Sequence, residues 1–438
     1  MKNNIFNIVK SLYPFDYSVV SEGSYLAQKV YMKQLPFKIY KFKAGVSINE
    51  WKIPYAKKIT QAQILYDGKI IFDGLKEKMS VVSNSCTFVG TVNYSELIKH
   101  LYYSDRIKNA TPYGWTGLYN HKETWGFCIT KDLFLKLNKK GNYQIKFIVN
   151  ELKDVPMIVY EYNVRGISNK TILINAHNCH PYQANDDISG CSVGISIIKQ
   201  IKEFKNLNYS YTLLIAPEIY GPLFWLKKIK AKNIIGCIQL KSVGNKNNIK
   251  LQKSFNGNTL LDKSFIKIIN NYKNSRSYNF REIHGNDEIV FESPGYNIPT
   301  ITLTRVPFKE YHTNFDTPMI IKNSKLLETK KIVLDSINII EKNYQLKNKL
   351  KGPVCLSSPK YNLYVAPKQP GITKEKLIPR KNIEWNLFMN SLQIKIDQKK
   401  TFLDLYFENS FSLDELFDYL KNWEKKGLIS LKLKKDLK

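Results

Sequence analysis

The sequence predicts an α/β protein with a mainly parallel sheet flanked by helices. Apolar runs such as 170–177 (KTILINAH) and 209–216 (YSYTLLIA) have the length and composition of buried strands. Between them, residues 190–205 (GCSVGISIIKQIKEFK) carry apolar positions at helical spacing. Strands that alternate with helices of this length are typical of a sheet built from parallel βαβ units.

The elements before and after this region divide the chain. Residues 1–35 have helical character, whereas 36–95 contain short β-rich segments separated by Gly, Asp or Asn turns. We therefore expect an α/β domain made of 1–35 and 96–346, with a small β-rich domain inserted at 36–95. A linker rich in Pro and Gly follows at 347–378, and residues 379–438 form a separate unit.

The last unit predicts a winged helix-turn-helix. Two helical segments precede SLDELFDYLKNWEKKG at 412–427, in which Ser412 and Glu415 are spaced as a capping box and Gly427 suits a helix C-terminus. The segment LISLKLKK has the pattern of a β-wing. Because the third helix carries Asp and Glu as well as Lys, it is poorly suited to DNA, and domain docking or dimerisation is the more plausible use.

Composition favours a folded protein that needs no polyanionic partner. The chain has 438 residues, 43% of them hydrophobic, and a formal net charge of +30. The lysines are spread along the whole length, so a solvated excess of Lys explains the charge. Six scattered cysteines without a CxxC pair indicate reduced thiols and a cytoplasmic protein. No secretory signal or apolar run long enough for a membrane span is visible.

Ligand-type side chains follow three successive predicted strands. A catalytic zinc needs three protein ligands from His and carboxylate, an open position for water, and a nearby carboxylate as proton acceptor. Taken singly, a histidine in such a loop is more often a hydrogen-bonded neutral imidazole, but together these residues favour a metal site. The candidates are His177, His180, Asp186 and Asp187 in the first loop, Glu218 in the second and His312 in the third.

The stretches CHPYQANDDISG, PEIYG, GNDEIVFESPGYNIP and EYHTNFD carry a family resemblance. Their order resembles the zinc-dependent aminopeptidase fold of bacterial leucyl aminopeptidases and glutaminyl cyclases. They are most similar to aminopeptidase-like proteins of bacterial surface-polysaccharide biosynthesis clusters, which also carry an inserted β domain and a C-terminal winged helix. The resemblance covers nearly the whole chain and implies the same architecture here.

The resemblance also implies roles for single residues. Asp186 matches the metal-bridging aspartate, His312 the last metal histidine, and Glu218 the general base. For the first metal histidine, His177 and His180 both remain open, and His180 is favoured because it belongs to the Cys-His-Pro of the more similar family.

Two departures from the aminopeptidase pattern affect the expected metal content. The aminopeptidases follow the general base with a second glutamate that binds one metal, and this position is Ile219 here. The remaining aspartate ligand of the aminopeptidases corresponds to Lys241. A single Zn²⁺ per chain, held by His180, Asp186 and His312, is therefore the expectation.

Four further residues are expected around this zinc. Asp187 is a candidate for orienting a ligand histidine, and Tyr311 for donating to an oxyanion. Glu288 and Arg305 are candidates for substrate contacts, although a structural ion pair is an equally good interpretation of each.

These residues favour a cytoplasmic zinc-dependent amide or peptide hydrolase of surface-glycan assembly. Its substrate would be a small peptide, an aminoacyl group or an acylamino sugar, and a homo-oligomer is compatible with the sequence. The two ligands that would complete a two-metal site are absent from the sequence. Their absence favours an alternative, a non-catalytic scaffold or binding protein that keeps the aminopeptidase fold. A DNA-binding regulator is the weakest hypothesis, for the reason given above.

Overall fold

The structure is a computed structural model that describes residues 4–115, 124–365, 380–434 and 437. The chain forms two compact units, Met1–Leu334 and Asp335–Lys438. Within the described ranges, no helix has both the length and the apolar character needed to cross a membrane.

The strands and helices are numbered in chain order. The strands are β1 (Lys38–Phe42), β2 (Ser47–Ile48), β3 (Trp51–Lys52), β4 (Ala56–Tyr66), β5 (Lys69–Asp73), β6 (Phe88–Asn93), β7 (Leu101–Tyr102), β8 (Phe127–Cys128), β9 (Asn142–Leu152), β10 (Met157–Val164), β11 (Thr171–His177), β12 (Ser210–Ala216), β13 (Ile234–Lys241), β14 (Lys250–Gln252), β15 (Arg276–Tyr278), β16 (Thr300–Thr304), β17 (Tyr344–Asn348) and β18 (Ile429–Leu433). The α-helices are α1 (Ile5–Leu12), α2 (Glu22–Gln34), α3 (Tyr94–Leu97), α4 (Lys131–Leu135), α5 (Ser189–Ile201), α6 (Tyr220–Leu226), α7 (Leu260–Ile269), α8 (Glu288–Phe291), α9 (Asn323–Ile340), α10 (Arg380–Asp397), α11 (Phe402–Glu408) and α12 (Leu413–Lys425).

A central sheet of eight strands in the described chain confirms the predicted α/β class. Its order is β1-β10-β12-β11-β13-β16-β14-β15. The middle of the sheet is parallel, because β11 pairs in parallel with β12 and β13, and β13 pairs in parallel with β16. The edges are mixed: β1 and β10 add antiparallel strands on one side, and β14 pairs antiparallel with β16 on the other.

Burial on both faces explains the continuous apolar runs of the central strands. All residues of β11 from Ile172 to His177 are buried, as are those of β12 from Tyr211 to Ala216. Helix α5 packs closely on this layer at Gly194, where an added Cβ would lie 2.7 Å from Leu213 Cδ1. The apolar core therefore holds the carboxyl ends of the central strands in fixed positions.

A second sheet of four antiparallel strands, in the order β5-β4-β9-β6, forms a separate layer. Tyr143, Ile145 and Phe147 of β9 alternate into its core. Strand β9 lies outside the predicted insertion at 36–95, and β1, inside that range, pairs with β10 of the central sheet. The range 36–95 therefore does not enclose the small sheet, because strand pairing between distant segments is not encoded in local composition.

The C-terminal unit contains helices α10, α11 and α12 and the antiparallel pair β17-β18. The capping box of Ser412 with Glu415 is present, and Gly427 adopts a positive φ of 74° at the helix end, as the sequence predicts. Strand β17 occupies the start of the predicted linker at 347–378. Residues 366–379 of that linker lie outside the described residues, and the winged-helix assignment stays a prediction.

Candidate metal centre

The candidate residues meet at one edge of the central sheet because their strands are parallel neighbours. Strand β11 leads into the loop with His180 and Asp186, β12 leads to Glu218, and β13 ends at Lys241. His312 lies beyond the end of β16. The carboxyl edge of a parallel sheet is where open α/β folds place their sites, so four separate segments converge there.

Two imidazole nitrogens lie close to one carboxylate oxygen. His180 Nε2 lies 3.5 Å from Asp186 Oδ2, and His312 Nε2 lies 3.2 Å from the same oxygen. Atoms bound tetrahedrally to one zinc ion at the usual 2.0–2.1 Å are about 3.3 Å apart. The donor set of two imidazoles and one carboxylate, at this spacing, fits a zinc ion.

The His180 ring is held in the form that can bind a metal. Its Nδ1 donates a hydrogen bond to the Pro181 carbonyl at 2.8 Å, which places the proton on Nδ1 and leaves a lone pair on Nε2. Tyr113 stacks on the ring with centroids 4.6 Å apart. The imidazole is thereby fixed in both tautomer and orientation.

His312 reaches the cluster from an unusual backbone conformation. Its φ is +55°, and its ring stacks on Tyr311 with centroids 3.9 Å apart. Burial lowers the pKa of His312 to about 4, although the neighbouring Asp186 opposes this shift. The imidazole is therefore neutral near pH 7, which is the form that binds metals.

Asp186 is buried and has a different environment at each carboxylate oxygen. Oδ2 faces His180 and His312, whereas Oδ1 lies 3.3 Å from His177 Nε2, 3.2 Å from Ser242 Oγ and 3.8 Å from Lys241 Nζ. Burial opposes ionisation, but Lys241 and the three histidines hold the pKa of Asp186 well below its ordinary value. Asp186 is thus a carboxylate available to a cation at Oδ2.

Asp316 positions this loop and was not assigned from the sequence. Its Oδ1 accepts from the Asn185 amide at 2.7 Å, and its Oδ2 accepts from the Asp186 amide at 3.0 Å. Asp316 is fully buried, so these bonds hold the backbone of Asp186 in place. The sequence signal for this role was the Asp-Thr pair at 316–317, shortly after His312. The residues that Asp316 holds, Asn185 and Asp186, lie 131 and 130 positions away in the chain.

His177 belongs to a second group of ligand-type atoms. Its side chain, the Cys179 thiol and the Glu218 carboxylate each offer an atom within 4.8 Å of the others. A separate group with the same spacing contains His180, Asp186 and His312. His180 is thus grouped with both Asp186 and His312, whereas His177 lies 3.3 Å from the other oxygen of Asp186 and is grouped with Cys179 and Glu218.

Glu218 lines a cavity of about 320 Å³ that also reaches the expected ligands. Its loop is held by Asp287, which accepts from the Ile219 amide at 2.6 Å and from Asn175 Nδ2 at 2.7 Å. Burial, assisted by Glu218, raises the pKa of Asp287 to about 6. The cavity is lined by Val19, Trp51, Tyr113, Trp115, Cys179, His180, Glu218, Ile219, Lys241, Arg281, Gly285, Asn286, Ile289, Tyr311 and His312.

Tyr311 and Asp187 lie on different sides of the cluster. Tyr311 lines the cavity, as an oxyanion donor must. Asp187 is fully buried and accepts from the Gly190 amide at 2.9 Å and the Ser242 amide at 3.0 Å. Its Oδ2 accepts from the His177 amide at 3.4 Å and lies 3.9 Å from His177 Nδ1, so Asp187 holds the start of α5 beside His177 rather than beside the favoured ligand His180.

Of the two interpretations left open for Glu288, the structure favours the structural ion pair over the substrate contact. Glu288 is fully buried, accepts twice from the Asn286 amide and pairs with Arg281 Nη1 at 3.0 Å. Of this pair, Arg281 lines the cavity. Glu288 thus holds Arg281 and does not meet a substrate.

For Arg305 the structure likewise favours the structural ion pair, because the guanidinium is fully buried and does not line the cavity. It donates to the carbonyls of Val243 at 2.8 Å and Asn247 at 2.6 Å, and it pairs with Glu328 at 2.8 Å. These are structural partners, and they tie the end of β16 to the loop after β13 and to α9.

We expect Arg305→Met to lower the free energy of unfolding by about 3 kcal/mol, because it leaves buried carbonyls and Glu328 without their donor. Metal content should not change. Urea denaturation and metal analysis measure both quantities, with Arg276→Met on the exposed part of β15 as the control. Loss of metal without loss of stability would contradict a structural role for Arg305.

Comparison with known proteins identifies the family of this chain. Residues 6–343 match a protein-family model described as "Domain of unknown function (DUF4910)". A protein of Clostridium acetobutylicum is 29% identical over 358 residues, which are 80% of this chain and 80% of that protein. It carries the provisional name of polysaccharide biosynthesis protein with aminopeptidase-like domain.

Solved structures show the same fold. A crystal structure of a protein from C. acetobutylicum, provisionally called a peptidase, superposes with a TM-score of 0.77 at 25% identity and covers 98% of this chain and 96% of that one. A zinc aminopeptidase from Bacillus subtilis superposes with a TM-score of 0.58 at 13% identity and covers 76% and 93%. This chain has the aminopeptidase fold, and it belongs to the family described as "Domain of unknown function (DUF4910)".

Proposed function

We propose that this protein is a zinc-dependent amide or peptide hydrolase with one zinc ion per chain. The observation that carries the proposal is the convergence of His180 Nε2 and His312 Nε2 on Asp186 Oδ2, beside a cavity that Glu218 lines. The zinc aminopeptidase fold supports the hydrolytic class.

The side chains divide the chemistry between them. A bound zinc ion supplies Lewis-acid chemistry, activating water and polarising the substrate carbonyl. Glu218 accepts the proton of the attacking water and delivers it to the leaving nitrogen. Tyr311, beside His312 in the cavity wall, donates a hydrogen bond to the oxyanion that develops on the carbonyl.

The size of the cavity and the name of the relative support the proposed substrate class. A cavity of about 320 Å³ suits a small molecule, so we propose a small peptide, an aminoacyl compound or an acylamino sugar as substrate. The name of the C. acetobutylicum relative supports a role in polysaccharide biosynthesis. The six unpaired cysteines support a cytoplasmic protein.

We expect His312→Ala to lose the metal and keep the fold. The wild type, prepared with zinc and without chelator, should retain about one ion per chain, and the variant less than about a tenth of that. The fold survives because the sheet core does not include this partly exposed side chain. Elemental analysis and circular dichroism measure the two outcomes.

The matched control is His100→Ala, a half-buried histidine that stacks on Trp125 far along the sequence from the ligands. This variant should retain the wild-type zinc content. Equal zinc content in the His312 variant and the wild type would contradict the assigned site.

A further inference from the structure

Lys241 places a buried ammonium group beside the expected zinc site. The side chain, at the end of β13, is only 2% exposed, yet it lines the same cavity as Glu218 and His312. Its Nζ lies 3.8 Å from Asp186 Oδ1, the carboxylate oxygen that faces away from the two expected histidine ligands. The Lys241 ammonium is therefore a resident cation beside Oδ1.

The surroundings of Lys241 are those of a cation site. His177, Cys179 and Glu218 form the second group of metal-ligand type, and Asp186 Oδ1 lies 3.3 Å from His177 Nε2. The ammonium lies 3.8 Å from the buried carboxylate of Asp186 and lines the same cavity as Glu218. Lys241 therefore already neutralises the negative charge that a second metal ion would neutralise.

A fixed ammonium differs from a metal in what it recognises. It offers N–H donors to oxygen acceptors and repels a second ammonium, whereas it cannot accept an amine nitrogen as a ligand. Arg281, which is paired with Glu288 and lines the same cavity, offers further N–H donors. Both groups favour anionic or carbonyl oxygens in the bound molecule.

We propose that the Lys241 ammonium takes the place of a second metal ion at Asp186 Oδ1 and selects substrates with a carboxylate or carbonyl oxygen, and not a free amino group, beside the scissile amide. This inference rests on the proposed function, because it assumes the zinc bound by His180, Asp186 and His312. It makes Lys241 a specificity-determining residue of that site.

Metal content tests the first half of the proposal. Lys241→Asp removes the ammonium and places an aspartate where the aminopeptidase pattern has a metal ligand. The wild type should contain about one zinc per chain and the variant about two, because the second donor group then has four ligands and no resident cation. A variant that stays at one ion overturns the proposal, whereas a wild type without zinc refutes the proposed function instead.

Ligand binding tests the second half and does not depend on the aspartate variant folding. Isothermal titration of zinc-loaded protein compares N-acetylglycine, which has a blocked amine and a carboxylate, with glycinamide, which has a free ammonium and no carboxylate. The wild type should prefer N-acetylglycine, and Lys241→Met should reduce that preference at least about tenfold. Any direct binding of the carboxylate to zinc is common to both proteins and cancels in the comparison.

Lys246→Met is the control for loss of one positive charge, because Lys246 lies in a different cavity, with Lys250 and Arg276. Its preference for N-acetylglycine should equal that of the wild type. An unchanged preference in Lys241→Met, or an equal decrease in both variants, would overturn the assignment of Lys241 as the selecting group.

Discussion

Glu218→Gln is expected to keep its zinc and to lose amide hydrolysis by a factor of about 10² to 10⁴, the usual contribution of a general base. Glutamine preserves the shape of the side chain but cannot accept the proton of the attacking water. Glu218 is not among the three expected ligands, so the zinc content should stay at about one ion per chain. Turnover of a panel of small amides, with elemental analysis of the same samples, measures both effects.

Glu292→Gln is the control for this substitution. Glu292 accepts from the amides of Phe255 and Thr300, both at 2.9 Å, and does not line the cavity. Its replacement should reduce stability and leave turnover unchanged. Turnover at the wild-type rate in Glu218→Gln would show that Glu218 is not the general base. An unaltered cellular phenotype would favour the scaffold alternative, in which the fold is kept for binding.

Asp186→Asn is expected to abolish zinc binding and to lower the free energy of unfolding by about 3–5 kcal/mol, the range for breaking a buried ion pair. The substitution removes the carboxylate between His180 and His312 and leaves the ammonium of Lys241 without its neighbour at 3.8 Å. Because the zinc-free wild type already contains this ion pair, the loss of stability should be visible in the presence of a chelator. Zinc titration and urea denaturation measure the two effects.

Asp262→Asn separates the loss of a buried carboxylate from the loss of the metal. Asp262 is fully buried, accepts from Ser254 and caps α7 through Thr259, and it has no contact with the cluster. Its replacement should destabilise the protein and leave zinc content unchanged. Equal zinc content in both variants would show that Asp186 is not a ligand.

The sequence predicts the central fold and the convergence of the site for the same physical reason. Strands buried on both faces leave long apolar runs, and parallel strands end at one edge, so polar residues after β11, β12 and β16 must meet. The placement of His180, Asp186 and His312 in one cluster follows from that rule. The capping box at Ser412 is equally local, because its bonds join residues three apart.

Features that depend on long-range pairing were beyond sequence reasoning. The pairing of β1 with β10, and of β9 with β4, joins segments roughly a hundred residues apart. The composition of a strand does not indicate which distant strand it pairs with. Arg305 shows the same limit for a side chain. Its position just before the site left a substrate contact and a structural ion pair equally open, but its acceptors come from the loop after β13 and from α9, which hold the guanidinium in the core.

Lys241 shows a different limit. Alignment to the aminopeptidase pattern identifies it as the replacement of a metal ligand, which predicts that a metal is missing. Only the structure shows that its ammonium lies close to Asp186 Oδ1 and lines the cavity with Glu218. The substitution therefore replaces one positive charge with another.

Diffraction recorded on both sides of the zinc absorption edge, from crystals grown with zinc and without chelator, tests the one-zinc site most directly. The predicted result is one anomalous peak per chain, about 2.0–2.1 Å from the Nε2 atoms of His180 and His312 and bound to Oδ2 of Asp186. Two peaks, one on each oxygen of Asp186, or no peak at this cluster would contradict the account.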